Sequence, residues 1–281
     1  MQKILIPTDL SQNALRAIHY ATELFKHGPT RIFLLHAYAD EVYDLKNQRQ
    51  DREFDELKRE VFIRTDSALE MLKKEIFVLS PNPKHSVQCQ PEFGMLVDAV
   101  NDWVEKENID VVVMGTKGQT ADKKMTFGSN TLQVIKYVKC PVLAVPEASK
   151  LENPKNIVFA TDFLLPYKRR ELKLLSNLAK RFAARIHFLH ISNFSQLSLR
   201  QQDNKAFLEA MLSENHLAFH QTEEKDITKA VNKFIEEKEM DMLVMVNTRH
   251  SYLENILYQS TIEKIGLNIE IPFLVLQNLP R

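Results

Sequence analysis

Lys3-Ile4-Leu5-Ile6-Pro7-Thr8-Asp9 returns later in the chain as Asn156-Ile157-Val158-Phe159-Ala160-Thr161-Asp162, an offset of 153 (162 − 9). Each is a short apolar run closed by Thr-Asp, the pattern of a buried strand followed by a turn. The repeat continues outward from that stretch. Arg31-Ile32-Phe33-Leu34-Leu35-His36 returns as Arg185-Ile186-His187-Phe188-Leu189-His190, offset 154. Asp110-Val111-Val112-Val113-Met114 returns as Asp241-Met242-Leu243-Val244-Met245, and Pro141-Val142-Leu143 as Pro272-Phe273-Leu274, both offset 131. Constant order with one change of offset reads as two copies of a single module, the first longer by about 22 residues in its middle (153 − 131). A chain of 281 residues suits two domains of ordinary size. The boundary falls at the polar stretch around 148–150, which ends in Asn153-Pro154, giving domains 1–147 and 154–281.

Each copy alternates strand-like and helix-like segments. In the first, strands are expected at 3–8, 31–36, 86–90, 109–114 and 141–145. Ser11 is placed to cap a helix reaching about His27, with Ala14, Ala17, Ile18, Ala21 and Phe25 on its apolar face. Leu96, Val100 and Trp103 mark a second helix, and 129–137 a third. Apolar strands separated by helices imply a parallel sheet covered on both faces. The fold class is therefore α/β, two tandem modules, each an open five-stranded parallel sheet with helices on both faces. The extra segment of the first copy, about Asp40 to Phe77, is densely charged and lacks Gly and Pro. Phe54, Leu57, Phe62, Leu69 and Leu72 give it a partial apolar stripe, expected as a solvated helix packed along the module, with a partner-binding helix as the alternative.

Composition removes several classes of function. Basic and acidic residues balance at 37 each, so no global charge favours nucleic acid or an anionic membrane. Met1-Gln2-Lys3 run straight into an apolar strand, leaving no room for a signal peptide, and no run of about 18 apolar residues occurs. A soluble, cytoplasmic protein is expected, with neither nucleic acid nor membrane as partner. Cys89 and Cys140 form no disulfide framework and lack metal-ligand spacing, so both read as small core residues. P-loop, GxGxxG, HExxH and CxxC patterns are all missing, and no metal-binding or catalytic residue presents itself.

Glycine usage points to one place. Of six glycines, three fall within 115–128, as Gly115-Thr116-Lys117-Gly118 followed nine residues later by Gly128-Ser129. Backbone without side chains at a strand exit allows main-chain N–H groups to approach an anion, most often a phosphate. The spacing G-2x-G-9x-G-S, together with Pro7-Thr8-Asp9 after the first strand, Leu35-His36-Ala37 ending the second and Cys140-Pro141-Val142-Leu143-Ala144-Val145 as the last, resembles the universal stress protein family in its nucleotide-binding branch. The resemblance spans nearly the whole chain and implies the adenine nucleotide alpha hydrolase-like fold.

It also implies a site for ATP, with or without Mg²⁺. Pro7, Thr8 and Asp9 would lie beside the adenosine, and Ala37 would offer backbone groups to the adenine edge. Met114, Gly115 and Gly118 would line the ribose and phosphate side. Gly128, Ser129 and Asn130 would meet the phosphates from a helix start, with Lys117 and Thr131 as weaker candidates. In the second copy Val246, Arg249 and Gln259 replace the three glycines, while Asp162 and Ser260 are kept, so one nucleotide site per chain is expected. His36 and His190, at matching strand ends, read as structural. The family pairs modules through their last strands, so Val142–Val145 and Phe273–Leu276 are expected to meet within one chain; homodimerisation and the identity of a protein partner stay open. The leading function is an ATP-binding stress-response regulator. The alternatives are a weak ATPase or autophosphorylating enzyme at the same site, and a nucleotide-independent scaffold using 40–77.

Overall fold

The computed structural model describes residues 1–116, 127–150, 152–165, 167–192, 194, 196–224, 226–248, 253 and 270–278. In the first half, β1 (Gln2–Pro7), α1 (Gln12–Leu24), β2 (Thr30–Ala37), α2 (Ala39–Gln48), α3 (Phe54–Leu79), β3 (His85–Glu92), α4 (Leu96–Glu107), β4 (Val111–Gly115), α5 (Ser129–Tyr137) and β5 (Val142–Val145) follow in order. The second half repeats the plan with β6 (Asn156–Ala160), α6 (Arg169–Phe182), β7 (Arg185–Ile191), α7 (Leu199–Met211), β8 (His216–Thr222), α8 (Ile227–Glu237), β9 (Met242–Asn247) and β10 (Phe273–Gln277).

All ten strands share one sheet, in the order β3-β2-β1-β4-β5-β10-β9-β6-β7-β8. Within each half the pairs are parallel, whereas β5 and β10 meet antiparallel, Leu274 opposite Leu143. The expected meeting of the two last strands is thus observed, and it merges two five-stranded sheets into one. Antiparallel pairing turns the second module end for end relative to the first. It also consumes both inner edges, leaving the half-exposed β3 and β8 as the sheet's margins.

The strands read as near-continuous apolar runs because both faces are covered. Alternate residues divide between two cores. Ile4, Ile6, Ile32, Leu34, Leu143 and Leu274 lie with α1, α3, α6 and α7, while Leu5, Phe33, Val112, Val142, Phe273 and Val275 lie with α4, α5 and α8. Both cores run unbroken across the β5–β10 seam. The charged insertion of the first half is two helices, α2 and α3, and not one. The chain breaks at 49–53, and Leu57 and Val61 pack with Tyr38 and Val42 in a small satellite core. Of its sequence stripe, Leu69 and Leu72 join the main core, but Phe62 is 41% exposed.

The β7–β8 margin holds a histidine pair. His187 Nδ1 lies 3.0 Å from His220 Nε2, the rings stack, and Phe234 packs its edge on both. Burial, then His220 and the nearby Arg185 and Lys238 charges, hold His187 below its usual range; burial and Lys238 do the same for His220. A folded-state pKa lowered in this way means that the unfolded chain binds protons first as the pH falls. The stability is therefore present above about pH 6.5, the ordinary histidine value, and declines toward pH 5. Urea midpoints measured from pH 7.5 to 5 should fall, and His220→Gln should flatten that slope.

Candidate functional site

The strand order 3-2-1-4-5 places a topological switch between β1 and β4. The chain leaves β1 toward β2 on one side and returns to β4 on the other, opening a crevice at their carboxyl ends. A cleft of about 110 Å³ lies there, lined by Pro7, Thr8, Asp9, Ala14, His36, Ala37, Asp40, Leu96, Met114, Gly115, Asn130 and Thr131. It is smaller than a complete small-molecule site of roughly 300 Å³ or more, and residues 117–126, which continue from its wall, lie outside the described residues.

The turn after β1 is built by its own side chains. Thr8 Oγ1 accepts from Leu10 N and Asp9 Oδ1 from Ser11 N, each at 3.0 Å, and Leu10 takes a left-handed φ of 61°. Ser11 then caps α1, accepting from Ala14 N. His36 Nδ1 lies 2.8 Å from the Thr8 carbonyl oxygen, so this nitrogen carries the proton and donates. Burial lowers the His36 pKa, against the opposing pulls of the Thr8 carbonyl and Asp9.

Gly115 is required by packing. A Cβ there would lie 2.8 Å from Asn13 Nδ2 and 3.1 Å from the Asn13 carbonyl oxygen, because α1 crosses directly over the end of β4. No described glycine has positive φ, so the demand is for space and not for unusual backbone. Gly128 is the N-cap of α5, with extended backbone and no side-chain cap bond. Ser129 is therefore the first helical residue and not the capping one. The Gly128 N–H is already donated to the Thr116 carbonyl at 2.7 Å, which corrects the expectation that it faces a phosphate. Among the described residues, the N–H groups of Ser129, Asn130 and Thr131 have no intrahelical partner, as the first turn of any helix dictates. Thr131 Oγ1 donates to the Gly115 carbonyl at 3.0 Å, tying the helix start to the strand exit.

The structure thus gathers Pro7, Thr8, Asp9, Ala37, Met114, Gly115, Asn130 and Thr131 around one cleft, with Gly128 and Ser129 at the helix start beside them. Lys117 and Gly118 lie outside the described residues. His36, Asp40, Ala14 and Leu96 complete the wall and were not singled out as site residues from sequence. Asp40 hides in the charged insertion, where nothing distinguishes it from its acidic neighbours.

The second half repeats the turn and fills the crevice. Asp162 Oδ1 accepts from Leu164 N at 2.8 Å, Phe163 has φ 57°, and His190 Nδ1 lies 3.1 Å from the Thr161 carbonyl oxygen. His36 and His190 thus do the same structural work. Among the described residues a pocket of about 10 Å³ lies there, between Thr161, Asp162, Leu165, Val246 and Leu253, whose three aliphatic side chains are each at most 8% exposed. Arg249, Gln259 and Ser260 lie outside the described residues.

Two tandem segments, residues 1–146 and 153–277, match the model of the universal stress protein family. The chain belongs to the universal stress protein family. It is 26% identical over 149 residues to a universal stress protein of Methanocaldococcus jannaschii, which covers 53% of this chain and 84% of that relative. Among solved structures, a universal stress protein from Archaeoglobus fulgidus superposes over 98% of this chain and 96% of its own, with TM-score 0.66 and 18% identity, a likeness of fold. A universal stress protein solved in complex with cAMP covers 52% of this chain and 96% of its own, at 19% identity and TM-score 0.37. Among the described residues, no helix is long and apolar enough to cross a membrane.

Proposed function

We propose that this universal stress protein is a cytoplasmic ATP-binding regulator with one nucleotide site, in the module of residues 1–147, and a module of residues 154–281 that binds none. The observation that carries the reading is the contrast between the two crevices. Among the described residues, the first is open beside the start of α5, whose first N–H groups have no intrahelical partner, and the second is packed with Leu165, Val246 and Leu253. Adenosine would lie against Pro7, Thr8, Asp9 and Ala37, with Met114 and Gly115 beneath the ribose. Ser129, Asn130 and Thr131 would receive the phosphates, where the helix dipole favours negative charge. Lys117 and Gly118 would close the phosphate end. The cleft has two carboxylates, Asp9 and Asp40, and no group of three metal-type ligands occurs among the described residues. Mg²⁺ would therefore arrive on the phosphates.

Helix α5 gives such a site a route to the rest of the molecule. Its start meets the cleft, while its last turn is held by the second module: Asn247 Nδ2 and Gln277 Nε2 donate to the Ile135 carbonyl at 2.9 and 2.8 Å. Those bonds satisfy a carbonyl that a helix end otherwise leaves open.

Asn130→Asp tests the reading with opposite effects. A carboxylate in the first turn of α5 should stabilise the fold by about 0.5 kcal/mol. The same charge should repel a triphosphate and weaken ATP binding at least about 10-fold, or about 1.4 kcal/mol. Unchanged ATP affinity in this variant would place the phosphates elsewhere.

A further inference from the structure

A larger cavity, about 560 Å³, lies at the opposite end of the first module's strands, where α6 of the second module crosses the entries to β1, β4 and β5. Turning one module end for end brings this helix there. Arg170 anchors it, donating to Asn108 Oδ1 at 3.0 Å and to the Ile109 carbonyl at 3.1 Å, with Asp110 at 3.6 Å. Farther along, His27 packs against Phe182, and the Arg181 guanidinium sits over Gly28, whose added Cβ would be 3.7 Å from Nη2.

Along α6, Arg170, Lys173, Asn177 and Arg181 succeed one another at helical spacing and all line the cavity. Their engagement differs. Arg170 is spent on the anchor. Arg181 Nη1 is buried with no hydrogen-bond partner, and burial lowers the guanidinium's pKa. An unpartnered buried guanidinium nitrogen is costly and calls for an acceptor. Lys173 is exposed on the rim and makes no ion pair or hydrogen bond among the described residues. The two carboxylates in the wall are occupied: Asp110 accepts from Lys3 N, and Glu171 has a partner of its own.

We propose that this inter-module cavity is an anion site, distinct from the nucleotide cleft, that takes a compact diphosphate between Arg181 and Lys173. Guanidinium and ammonium from one helix face suit an anion with two charged centres. The adjoining hollow, about 420 Å³, shares Arg170, Lys173 and Asn177, but its remaining cations are engaged, Lys180 with Glu214 and Arg169 over Phe207. The ligand therefore centres on the Arg181 side.

Calorimetric titration of the full chain with inorganic pyrophosphate, at low ionic strength without Mg²⁺, tests the site. One equivalent is expected. Arg181→Gln and Lys173→Gln should each weaken uptake about 10-fold, the scale of one hydrogen bond to a charged group, with ATP affinity unchanged. Lys173→Gln changes an exposed side chain, so it reads the site even if Arg181→Gln folds poorly. Methyl diphosphate in place of pyrophosphate identifies the source: tighter uptake of the free anion or of the ester both support the site and name its ligand. No uptake at millimolar concentration, or uptake indifferent to both substitutions, overturns it. Uptake that disappears in Asn130→Asp also overturns it, by moving the anion to the start of α5.

Discussion

Gly115→Val should abolish ATP binding while the chain still folds. The new Cβ would meet Asn13 Nδ2 at 2.8 Å and, less forgivingly, the Asn13 backbone oxygen at 3.1 Å. Asn13 lies in the first turn of α1 and is 8% exposed, so it has little room to retreat. Either α1 shifts outward or the end of β4 bends, and each movement disturbs the wall formed by Pro7, Thr8 and Asp9. Overpacking of this kind costs about 1–3 kcal/mol. A protein of this size tolerates that loss as a lower denaturation midpoint. The expected fall in ATP affinity is at least about 100-fold, near 2.7 kcal/mol. Circular dichroism and a urea midpoint would establish folding, and calorimetry would read the affinity.

Leu143→Asp should have the largest effect on stability. Leu143 is fully buried in β5, faces Leu274 of β10 across the seam, and belongs to the core shared by both modules. β5 has four residues, and the two halves are joined through only three paired positions in the sheet. A carboxylate placed there has no partner, and an uncompensated buried charge costs on the order of 4 kcal/mol. Because the cores are continuous, the loss should be felt on both sides of the seam. Unfolding followed by tryptophan fluorescence, which reports the first module through Trp103, and by circular dichroism, which reports both, should shift together. Loosened strands would also present unpaired edges to other molecules. Sedimentation should therefore show more concentration-dependent association than the unaltered chain does.

Much of this fold is legible in the chain because its strands are buried on both faces. Continuous runs such as Val111 to Met114 announce themselves whatever surrounds them, and their recurrence at fixed offsets exposes the two modules. The end of β3 is less legible: Gln88, Gln90 and Glu92 are polar because that strand lies at the sheet margin. The break between α2 and α3 has no Gly or Pro to mark it; it is set by Leu57 and Val61 turning in to cover Tyr38 and Val42. Such a satellite core is a tertiary event without a local signal.

The cleft divides in the same way. Asp9 and Gly115 stand out from sequence, but part of the reason lies in the fold itself. Gly115 answers to Asn13, and Asp9, like Asp162, holds a strand-to-helix turn. Gly128 caps the start of α5 and spends its N–H on Thr116. The filled second crevice was foreseeable at Val246, but not at Leu165 and Leu253, whose stretches of sequence carry no periodic pattern. The α6 cavity is invisible in sequence because it exists only once one module is inverted against the other.

The most direct measurement is a calorimetric titration of nucleotide-free chain with ATP and Mg²⁺, run on the unaltered protein and on folded Gly115→Val. One ATP per chain, lost in the variant, is the predicted result. Absence of binding to the unaltered chain, or binding that survives Gly115→Val undiminished, would contradict a nucleotide site in the first module.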